Sequence, residues 1–342
     1  MAGATPIGLD IGSSSIRAVE VRRTRDEYSL SNFGQIPLEP GAVHGGVVQD
    51  PLGVTSALKQ LWAASRFGTK RVSLGVTNPQ LVVREMSIAN LPAGQMRQAL
   101  PFQVKDALPL AVERSLLDFY PLEQPGDSPT VRGLLIAMPK DAVTDLVHAV
   151  EKAGLHVTGV DLASFALLRS ASRLDAQVEA IVDIGADITS VVVHADGEPL
   201  FVRTLPRGGA EITDSIATRL GIPALQAEDL KCRFGLHGDG NPDSVAAITD
   251  AVRPLSSELR SSFTYLASGE RQKQVTRLAL CGGGALMPGL AEHLQRELGG
   301  ITVMYADSTS RLRDTRRARE RGFDSFVPSA AVSIGLTLGA GR

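Results

Sequence analysis

One short pattern occurs twice in this chain, with its copies about half a chain apart. The first copy reads Ile7-Gly-Leu-Asp-Ile-Gly12 and the second reads Ala180-Ile-Val-Asp-Ile-Gly185. In each copy an apolar run leads to an aspartate, a hydrophobic residue and a glycine, and a second apolar run follows. The two aspartates, like the two glycines, are separated by 173 residues. This self-similarity predicts a duplicated domain in which each half opens with a strand, a tight turn and a second strand.

The two turns have the composition of a phosphate-binding site. Gly12 and Gly185 permit phosphate oxygens to approach the exposed backbone N–H groups of a tight turn. The first turn also carries three hydroxyl donors, at Ser13, Ser14 and Ser15. Arg17 adds a positive charge nearby. If Asp10 and Asp183 face each other across a cleft, they can hold a hydrated Mg²⁺, which normally keeps several of its waters.

A third glycine-rich element follows both turns. Leu278-Ala-Leu-Cys281 reads as a short strand, and it runs directly into Gly282, Gly283 and Gly284 before a helix. Without side chains there, a flat base or a ribose can approach the backbone, so we predict an adenosine-binding turn. Gly208 and Gly209 precede a predicted helix and offer a second close approach. The sequence contains neither a P-loop motif nor a dinucleotide-binding Gly-x-Gly-x-x-Gly opening a helix.

The length and the order of the predicted elements indicate an α/β protein with more than one domain. A chain of 342 residues exceeds one comfortable core, and its predicted strands alternate with helices. From 79 to 154 the pattern changes to a strand-helix-strand-strand-helix block, which predicts an inserted subdomain. Pro101 lies inside the predicted helix 94–108 and is expected to kink or break it.

Composition excludes several classes of function. Lys and Arg number 35 against 37 Asp and Glu, so nothing indicates a nucleic-acid partner. The two cysteines, Cys232 and Cys281, lack metal-ligand spacing, and their scarcity is typical of a reducing cytosol. The six histidines are scattered singly and predict no metal site. We find no signal peptide and no apolar stretch of transmembrane length.

At its glycine-rich elements the chain resembles the actin-like ATPases, and in particular the PilM family of type IV pilus assembly proteins. The resemblance covers nearly the whole chain, and the first turn is its most specific part. The stretches that carry it are Gly8–Glu20, Leu116–Tyr120, Val182–Gly185, Gly208–Thr213, Gly282–Gly284 and Ala331–Leu336.

The resemblance implies duplicated actin-like, ribonuclease H-like domains, with an inserted subdomain called 1C and a further subdomain called 2B. The corresponding division of the chain is 1–78 (first part of 1A), 79–154 (1C), 155–175 (return to 1A), 176–220 (first part of 2A), 221–275 (2B), 276–327 (return to 2A) and 328–342 (closing helix on 1A).

The resemblance also implies a site, two cofactors and a partner. ATP would lie in the cleft between the halves, with Asp10 and Asp183 facing Mg²⁺ and the serines 13–15 binding phosphates. Glu228 and Lys231 would lie near the ribose and adenine. Arg17 stands where the family commonly has lysine, which keeps the charge but changes the geometry. A groove near 1A and 1C would take the short cytoplasmic N-terminus of PilN, an inner-membrane protein, and so bring a cytoplasmic chain to that membrane.

Two other functions remain open from the sequence. An FtsA-like cell-division homologue shares the 1C insertion but carries a C-terminal amphipathic membrane helix, whereas this chain stops soon after its last predicted helix. A sugar kinase on the same fold needs a polar pocket with a base beside the γ-phosphate. No such base stands out, so we expect ATP hydrolysis to be slow at most.

One charged segment has no assigned role. Residues 308–321 contain six arginines, Arg311, Arg313, Arg316, Arg317, Arg319 and Arg321, with Asp314 and Glu320 among them. A solvated surface is the favoured interpretation. The alternative is a docking patch for an acidic partner or for anionic lipid head groups.

Overall fold

The computed structural model describes residues 5–24, 27–109, 111–123, 128–238, 241–268, 272–313 and 320–339. Its strands are β1 (Ile7–Ile11), β2 (Ser15–Thr24), β3 (Glu27–Pro37), β4 (Val43–His44), β5 (Val47–Val48), β6 (Arg71–Val76), β7 (Val82–Ala89), β8 (Ser115–Pro121), β9 (Thr130–Pro139), β10 (His156–Leu162), β11 (Val178–Ile184), β12 (Thr189–Ala195), β13 (Glu198–Leu205), β14 (Arg277–Cys281), β15 (Thr302–Tyr305) and β16 (Leu312–Arg313). Its α-helices are α1 (Pro51–Ser65), α2 (Ala93–Val104), α3 (Lys140–Lys152), α4 (Ala163–Ala171), α5 (Gly209–Leu220), α6 (Ala224–Arg233), α7 (Pro242–Ser268), α8 (Leu290–Leu298), α9 (Phe323–Phe326) and α10 (Ala331–Gly339).

Two central sheets repeat one topology, as the duplicated pattern predicts. The first has the order β10-β6-β1-β2-β3-β16, and the second has the order β13-β12-β11-β14-β15. In both, the opening strand pairs antiparallel with the next strand and parallel with a later one. The register repeats as well, since Asp10 lies opposite Arg17 and Asp183 lies opposite Ser190. The prediction of a duplicated α/β fold is confirmed.

Two helices lie between the halves and pack against both. Helix α4 follows the edge strand of the first sheet, and α10 closes the described chain. Their apolar residues share one buried cluster with strands β11, β12 and β14 of the second sheet. The helices cross closely, because a Cβ at Gly335 would stand 1.8 Å from the carbonyl oxygen of Ala166. Motion of one half relative to the other must therefore pass through this pair of small-residue helices.

The inserted block has the predicted element order, β7-α2-β8-β9-α3. Strands β7, β9 and β8 form a separate sheet in that order, and α2 covers one of its faces. Pro101 lies within α2, which ends at Val104 and passes into a 3-10 turn. Helix α3 packs beside α1 in the core of the first half. The limits of the subdomains remain a prediction.

A buried ionic cluster anchors the segment that connects the two halves. Glu179 and His194 are fully buried and lie 2.9 Å apart, and Arg277 Nε donates to Glu179 at 2.6 Å. The same guanidinium binds both carboxylate oxygens of Asp175, at 2.7 and 2.9 Å. Burial raises the pKa of Glu179, but hydrogen bonds from His194, Arg173 N–H and Arg277 outweigh it and hold the pKa below its usual value. The connection between α4 and β11 is thereby fixed to the second sheet.

Candidate functional site

A cavity of about 620 Å³ opens between the two sheets, where the repeated turns meet. Helices α5 and α6 and the glycine turn after β14 complete its walls. Thirteen of the fifteen residues predicted from the sequence line it: Asp10, Gly12, Ser13, Ser14, Arg17, Asp183, Gly185, Gly209, Glu228, Lys231, Gly282, Gly283 and Gly284.

The other two predicted residues support the turns from behind. Ser15 is buried, its hydroxyl accepts from Gln35 Nε2 at 3.3 Å, and its carbonyl accepts from Gly12 N–H at 3.1 Å. Gly208 passes so close to the second turn that a Cβ would stand 2.3 Å from the carbonyl oxygen of Ala186. Both residues therefore support the two repeated turns and do not line the cavity.

The two aspartates of the repeat are largely buried, with the side chain of Asp10 18% exposed, and they interact electrostatically. Burial raises the pKa of Asp10, and the charge and hydrogen bond of Arg17 partly offset it. Burial and the neighbouring charge of Asp10 raise the pKa of Asp183 to about 7. Arg17 Nη1 lies 3.5 Å from Asp10 Oδ2. The raised pKa values mean that ionising both carboxylates together is costly. A divalent cation bound between them would stabilise both negative charges and lower both pKa values, so the pair has the chemistry of a cation site.

Cys281, at the end of β14, lies beside Asp183 in the parallel pairing of β11 with β14 and is 2% exposed. Burial, followed by the charge of Asp183, raises the pKa of its thiol well above the usual value. A protonated buried thiol is a small packing residue and not a nucleophile.

Open space and unpaired polar atoms in the cavity fit a phosphorylated ligand. A Cβ built at Gly283 meets no atom within 4 Å, so packing does not explain its missing side chain. Gly282, by contrast, has φ +87°, and a Cβ there would stand 2.4 Å from Asp183 Oδ1. Arg17 Nε and Thr77 Oγ1 are buried with no hydrogen-bond partner among the described residues. Thr77 lines the cavity and was not found by sequence reasoning.

At the other end of the cavity, an ammonium group joins α6 to the beginning of α5. Lys231 is buried, and its Nζ donates to the carbonyl of Gly209 at 2.9 Å, Thr213 Oγ1 at 2.8 Å and Glu228 Oε2 at 2.6 Å. Burial raises the pKa of Glu228, but hydrogen bonds from Lys231 and Thr213 outweigh it and leave the pKa low. Lys231 therefore has three acceptors within the protein, and half-exposed Glu228 is the available acceptor for a ligand hydroxyl.

One cavity residue links the two halves directly and was not found from the sequence. Asp187, in the second turn, accepts through Oδ2 from Gly45 N–H at 3.1 Å and lies 2.9 Å from His44 Nδ1. These partners belong to the β4–β5 hairpin of the first half. A Cβ at the neighbouring Gly46 would stand 2.0 Å from the carbonyl of Thr77, so the hairpin is packed firmly. We name the contact between Asp187 and 44–45 the cleft latch.

A second cavity, of about 640 Å³, lies on another side of the first half. We name it the side groove. Strand β8, strand β10 and helix α4 supply half of its lining residues, and the turn 196–199 of the second half, Arg311 and residues of β9 are among the others. The rings of Tyr120 and Phe165 pack at a tilt of 49° in its wall, with centroids 5.4 Å apart. Arg169 pairs with Asp161, and Arg311 donates to Ser172 Oγ at 2.9 Å. The groove thus touches both halves and the connection between them.

The arginine-rich segment is described only in part, since 314–319 lie outside the described residues. Arg321 donates to Asn32 Oδ1 at 3.0 Å and lies over the ring of Phe33, and Arg313 lies 3.6 Å from Glu27. These contacts are with the chain's own surface. The docking-patch interpretation remains a prediction.

Two further features are absent from the described residues. Within the parts of the chain that the structure describes, no three His, Cys, Asp or Glu side chains are grouped to hold a metal ion. None of the described helices is both long enough and apolar enough to span a membrane.

Comparisons with known proteins agree with this geometry. The family model for the type IV pilus assembly protein PilM matches residues 8–340. A solved PilM-PilN type IV pilus biogenesis complex aligns over 99% of both chains with a TM-score of 0.86 and 27% identity. The cell division protein FtsA of Bacillus subtilis (strain 168) is 23% identical over 377 aligned positions, which cover 97% of this chain and 86% of FtsA.

A more distant structure shares the fold alone. The ethanolamine utilization protein EutJ from Carboxydothermus hydrogenoformans aligns over 99% of this chain and 91% of its own, with a TM-score of 0.57 and 17% identity. The family match covers almost the entire sequence, and the two halves form the actin-like arrangement around one cleft. The chain therefore belongs to the PilM family of type IV pilus assembly proteins, on the actin-like fold.

Proposed function

We propose that the protein is an ATP-binding component of type IV pilus assembly, or of a related secretion system, that docks a PilN-like inner-membrane protein. One observation carries the proposal: the duplicated turns bring two largely buried carboxylates together in a cleft, and a separate groove touches both halves. A ligand in the cleft and a ligand in the groove then act on the same hinge.

In the cleft, each end of the nucleotide has its own residues. Asp10 and Asp183 would hold Mg²⁺ through water, and the ion would neutralise phosphate charge. The backbone of the two turns and the hydroxyls of Ser13 and Ser14 would bind the phosphates. Gly283 leaves space for the adenosine, and Glu228 would accept from a ribose hydroxyl. Arg17, with a buried Nε lacking a partner among the described residues, supplies a nearby positive charge.

Slow turnover is the expected enzymatic behaviour. A hydrolytic base must orient a water beside the terminal phosphate. The carboxylates described in the cleft are already engaged: Asp10 with Arg17, Asp183 beside Asp10, Asp187 in the latch and Glu228 with Lys231. Helix α4 also reaches the cavity wall, but its first residue there is Ala163, whose side chain has no polar group that could orient a water. The bound nucleotide then serves to hold the halves closed.

In the side groove, the ligand would be the cytoplasmic N-terminal peptide of the PilN-like protein. The solved relative at 27% identity is a PilM-PilN complex, and the groove here is apolar enough to hold a short segment. Because its walls include the turn 196–199 of the second half, the angle between the halves alters its shape. Through this partner the protein would work at the cytoplasmic face of the inner membrane.

A cell-division role like that of FtsA is the second candidate, and the match of FtsA to 97% of the chain supports it. The family match favours pilus assembly instead. A sugar-kinase role has no unengaged base to support it among the described residues of the cleft.

A binding experiment tests the proposal. We expect a synthetic peptide of the PilN-like protein's cytoplasmic N-terminus to bind the full chain, with about tenfold higher affinity when Mg·ATP is present, since coupling between sites is typically 5- to 150-fold. Fluorescence anisotropy with a scrambled peptide as the control measures it. Phosphorylation of a sugar panel without peptide binding would instead indicate a kinase.

The cleft latch makes a kinetic prediction. We expect Asp187→Ala to speed release of a fluorescent ATP analogue about fivefold, because two contacts across the mouth of the cleft are lost, each worth roughly 1 kcal/mol at most. A stopped-flow chase with unlabelled ATP measures the rate. Asp214→Ala, which removes an exposed carboxylate from α5, is the matched control. Equal release rates for the two variants and the parent would show that the latch does not restrain the cleft.

A further inference from the structure

One hydroxyl of the cleft is buried and forms no hydrogen bond within the part of the chain that the structure describes. It belongs to Thr77, which lines the cavity from the first half. A buried polar group without a partner destabilises a fold, so such groups are rare and need an explanation. In a cavity with the chemistry of a nucleotide site, an acceptor on the ligand supplies the missing partner.

The strand before Thr77 places it at the first repeated turn. Strand β6 ends at Val76 and runs parallel to β1, with Leu9 opposite Leu74. Continued to the first turn, this register brings Thr77 level with Gly12, which also lines the cavity. Ligands of α/β sheets bind beyond the carboxyl ends of parallel strands, and Thr77 lies at such an end. Thr77 and the first turn therefore belong to one wall of the cleft.

The surrounding backbone holds Thr77 in position. A Cβ at Gly46 would stand 2.0 Å from the carbonyl oxygen of Thr77, so the β4–β5 hairpin packs directly on this residue. The next residue, Asn78, is 4% exposed, and its Oδ1 accepts from Gln80 N–H at 2.8 Å. Threonine is also β-branched, which restricts its χ1 angle. The hydroxyl is thus positioned before a ligand binds, and little side-chain entropy is lost when it forms a bond.

A positive charge approaches the same turn from the other side. Strand β1 lies between β2, which carries Arg17, and β6, which leads to Thr77. Arg17 Nη1 lies 3.6 Å from the position that a Cβ at Gly12 would occupy. Arg17 Nε, like the threonine hydroxyl, is buried without a partner among the described residues. An anionic oxygen near Gly12 would accept from both groups.

The two halves contribute to different parts of the cavity. Glu228 and Gly283, which are proposed to hold the adenosine, belong to the second half, whereas Thr77 belongs to the first. Asp10 and Asp183, the proposed cation ligands, lie where the halves meet. A nucleotide whose adenosine is held by the second half reaches the first half with its phosphates. Its terminal phosphate extends furthest and comes nearest to Thr77.

We infer that Thr77 donates a hydrogen bond to the terminal phosphate and thereby makes the cleft select a nucleoside triphosphate over a diphosphate. The inference rests on the proposed function, because it takes a nucleotide as the occupant of the cleft. The β4–β5 hairpin that packs on Thr77 also carries the first-half side of the cleft latch. The terminal phosphate therefore acts next to the contact that joins the two halves.

Calorimetric titration with Mg·ATP and with Mg·ADP tests the inference. Thr77→Val replaces the hydroxyl with a methyl group of similar size. We expect it to weaken Mg·ATP binding about tenfold or more and Mg·ADP binding less than about twofold, because only the triphosphate carries the acceptor and hydrogen bonds to charged groups are the stronger ones. Thr77→Ser keeps the hydroxyl and should stay within about threefold of the parent for both nucleotides.

Thr204→Val is the matched control. The hydroxyl of Thr204 is also buried without a partner among the described residues, but Thr204 lies on β13 and does not line the cavity. We expect this variant to bind both nucleotides like the parent. Without nucleotide, both valine variants should melt at or above the parental temperature, because each loses a buried hydroxyl that has no partner among those residues.

The outcomes separate the inference from the proposed function. If the parent binds both nucleotides, and Thr77→Val weakens neither or weakens both equally, Thr77 does not bind the terminal phosphate while the nucleotide site stands. If the parent binds neither nucleotide, the proposed function is wrong and the inference fails with it.

Discussion

Asp183→Asn is expected to make the nucleotide-free protein more stable and, at the same time, unresponsive to Mg·ATP. The pKa of Asp183 is about 7 in the folded protein against an ordinary value of 3.8. At pH 8 the folded protein must therefore ionise a group that resists ionisation, at a cost of up to about 4 kcal/mol. Asparagine removes this cost, and we expect the melting temperature to rise on the order of 5 °C.

The pH dependence gives the same prediction an independent check. Because the folded-state pKa of Asp183 is raised, the folded protein binds this proton more tightly than the unfolded chain does. The contribution to stability is thus complete below about pH 4 and is lost as the pH rises to about 7. The parent protein should show this decline in differential scanning fluorimetry without nucleotide, and Asp183→Asn should lack it.

The loss of the nucleotide response completes the test. Mg·ATP is expected to raise the melting temperature of the parent protein. None of the variants Asp183→Asn, Asp183→Ala and Asp10→Ala should show this rise. Asp145→Asn, an exposed change on α3, should behave like the parent in every condition. A normal Mg·ATP shift in both Asp10→Ala and Asp183→Ala would show that the repeated aspartates are not the cation site.

The parts of the site that the sequence predicted are the parts set by local structure. A strand, an Asp-x-Gly turn and a second strand form one hairpin, so Asp10 and Asp183 can be placed from a few neighbouring residues. The offset of 173 residues then implies equivalent positions in two sheets, and the registers at Arg17 and Ser190 bear this out. The turn at Gly282 is likewise local, since its left-handed φ follows directly from the end of β14.

The missed features depend on contacts between distant residues. The latch joins Asp187 to Gly45, which lies 142 residues earlier, and no local pattern encodes that pairing. The only available signal was the repeat itself, in which Asp187 takes the place of Ser14. Strands β4 and β5 have two residues each and form only because they pair with each other. The contacts that fix Lys231 likewise join α6 to the beginning of α5.

The side groove could not be predicted from the sequence because its walls come from many segments that are distant along the chain. The sequence predicts a strand at Leu116–Tyr120, and the family resemblance includes this stretch, but the run of apolar residues is interrupted by Asp118. The structure shows why the polar residue is there, since its carboxylate covers the N–H of Phe119 at the free edge. The alternation of residues along a strand indicates which face is buried. Whether the strand lies at an edge or borders a groove depends on the other segments that pack beside it, which its own sequence does not indicate.

Leu116→Glu is expected to weaken binding of the PilN-like peptide at least about 100-fold. Leu116 is 40% exposed on the groove wall, and a bound segment would bury the rest of its side chain. The substitution loses that apolar contact and places a carboxylate beside Asp118 and Asp161, where peptide binding must desolvate it. Together these effects are worth roughly 3 kcal/mol, which corresponds to a factor of about 100.

Leu225→Glu is the matched control, because Leu225 is 82% exposed on α6 and does not line the side groove. Anisotropy titration should give parental affinity for the control, and both variants should keep the parental melting temperature and its rise with Mg·ATP. That last result matters most, because it separates a damaged groove from a damaged fold. Undiminished peptide binding by Leu116→Glu would place the partner elsewhere. Loss of peptide binding with an intact nucleotide response is the expected result, because the substitution removes a contact in the groove and leaves the residues of the cleft in place.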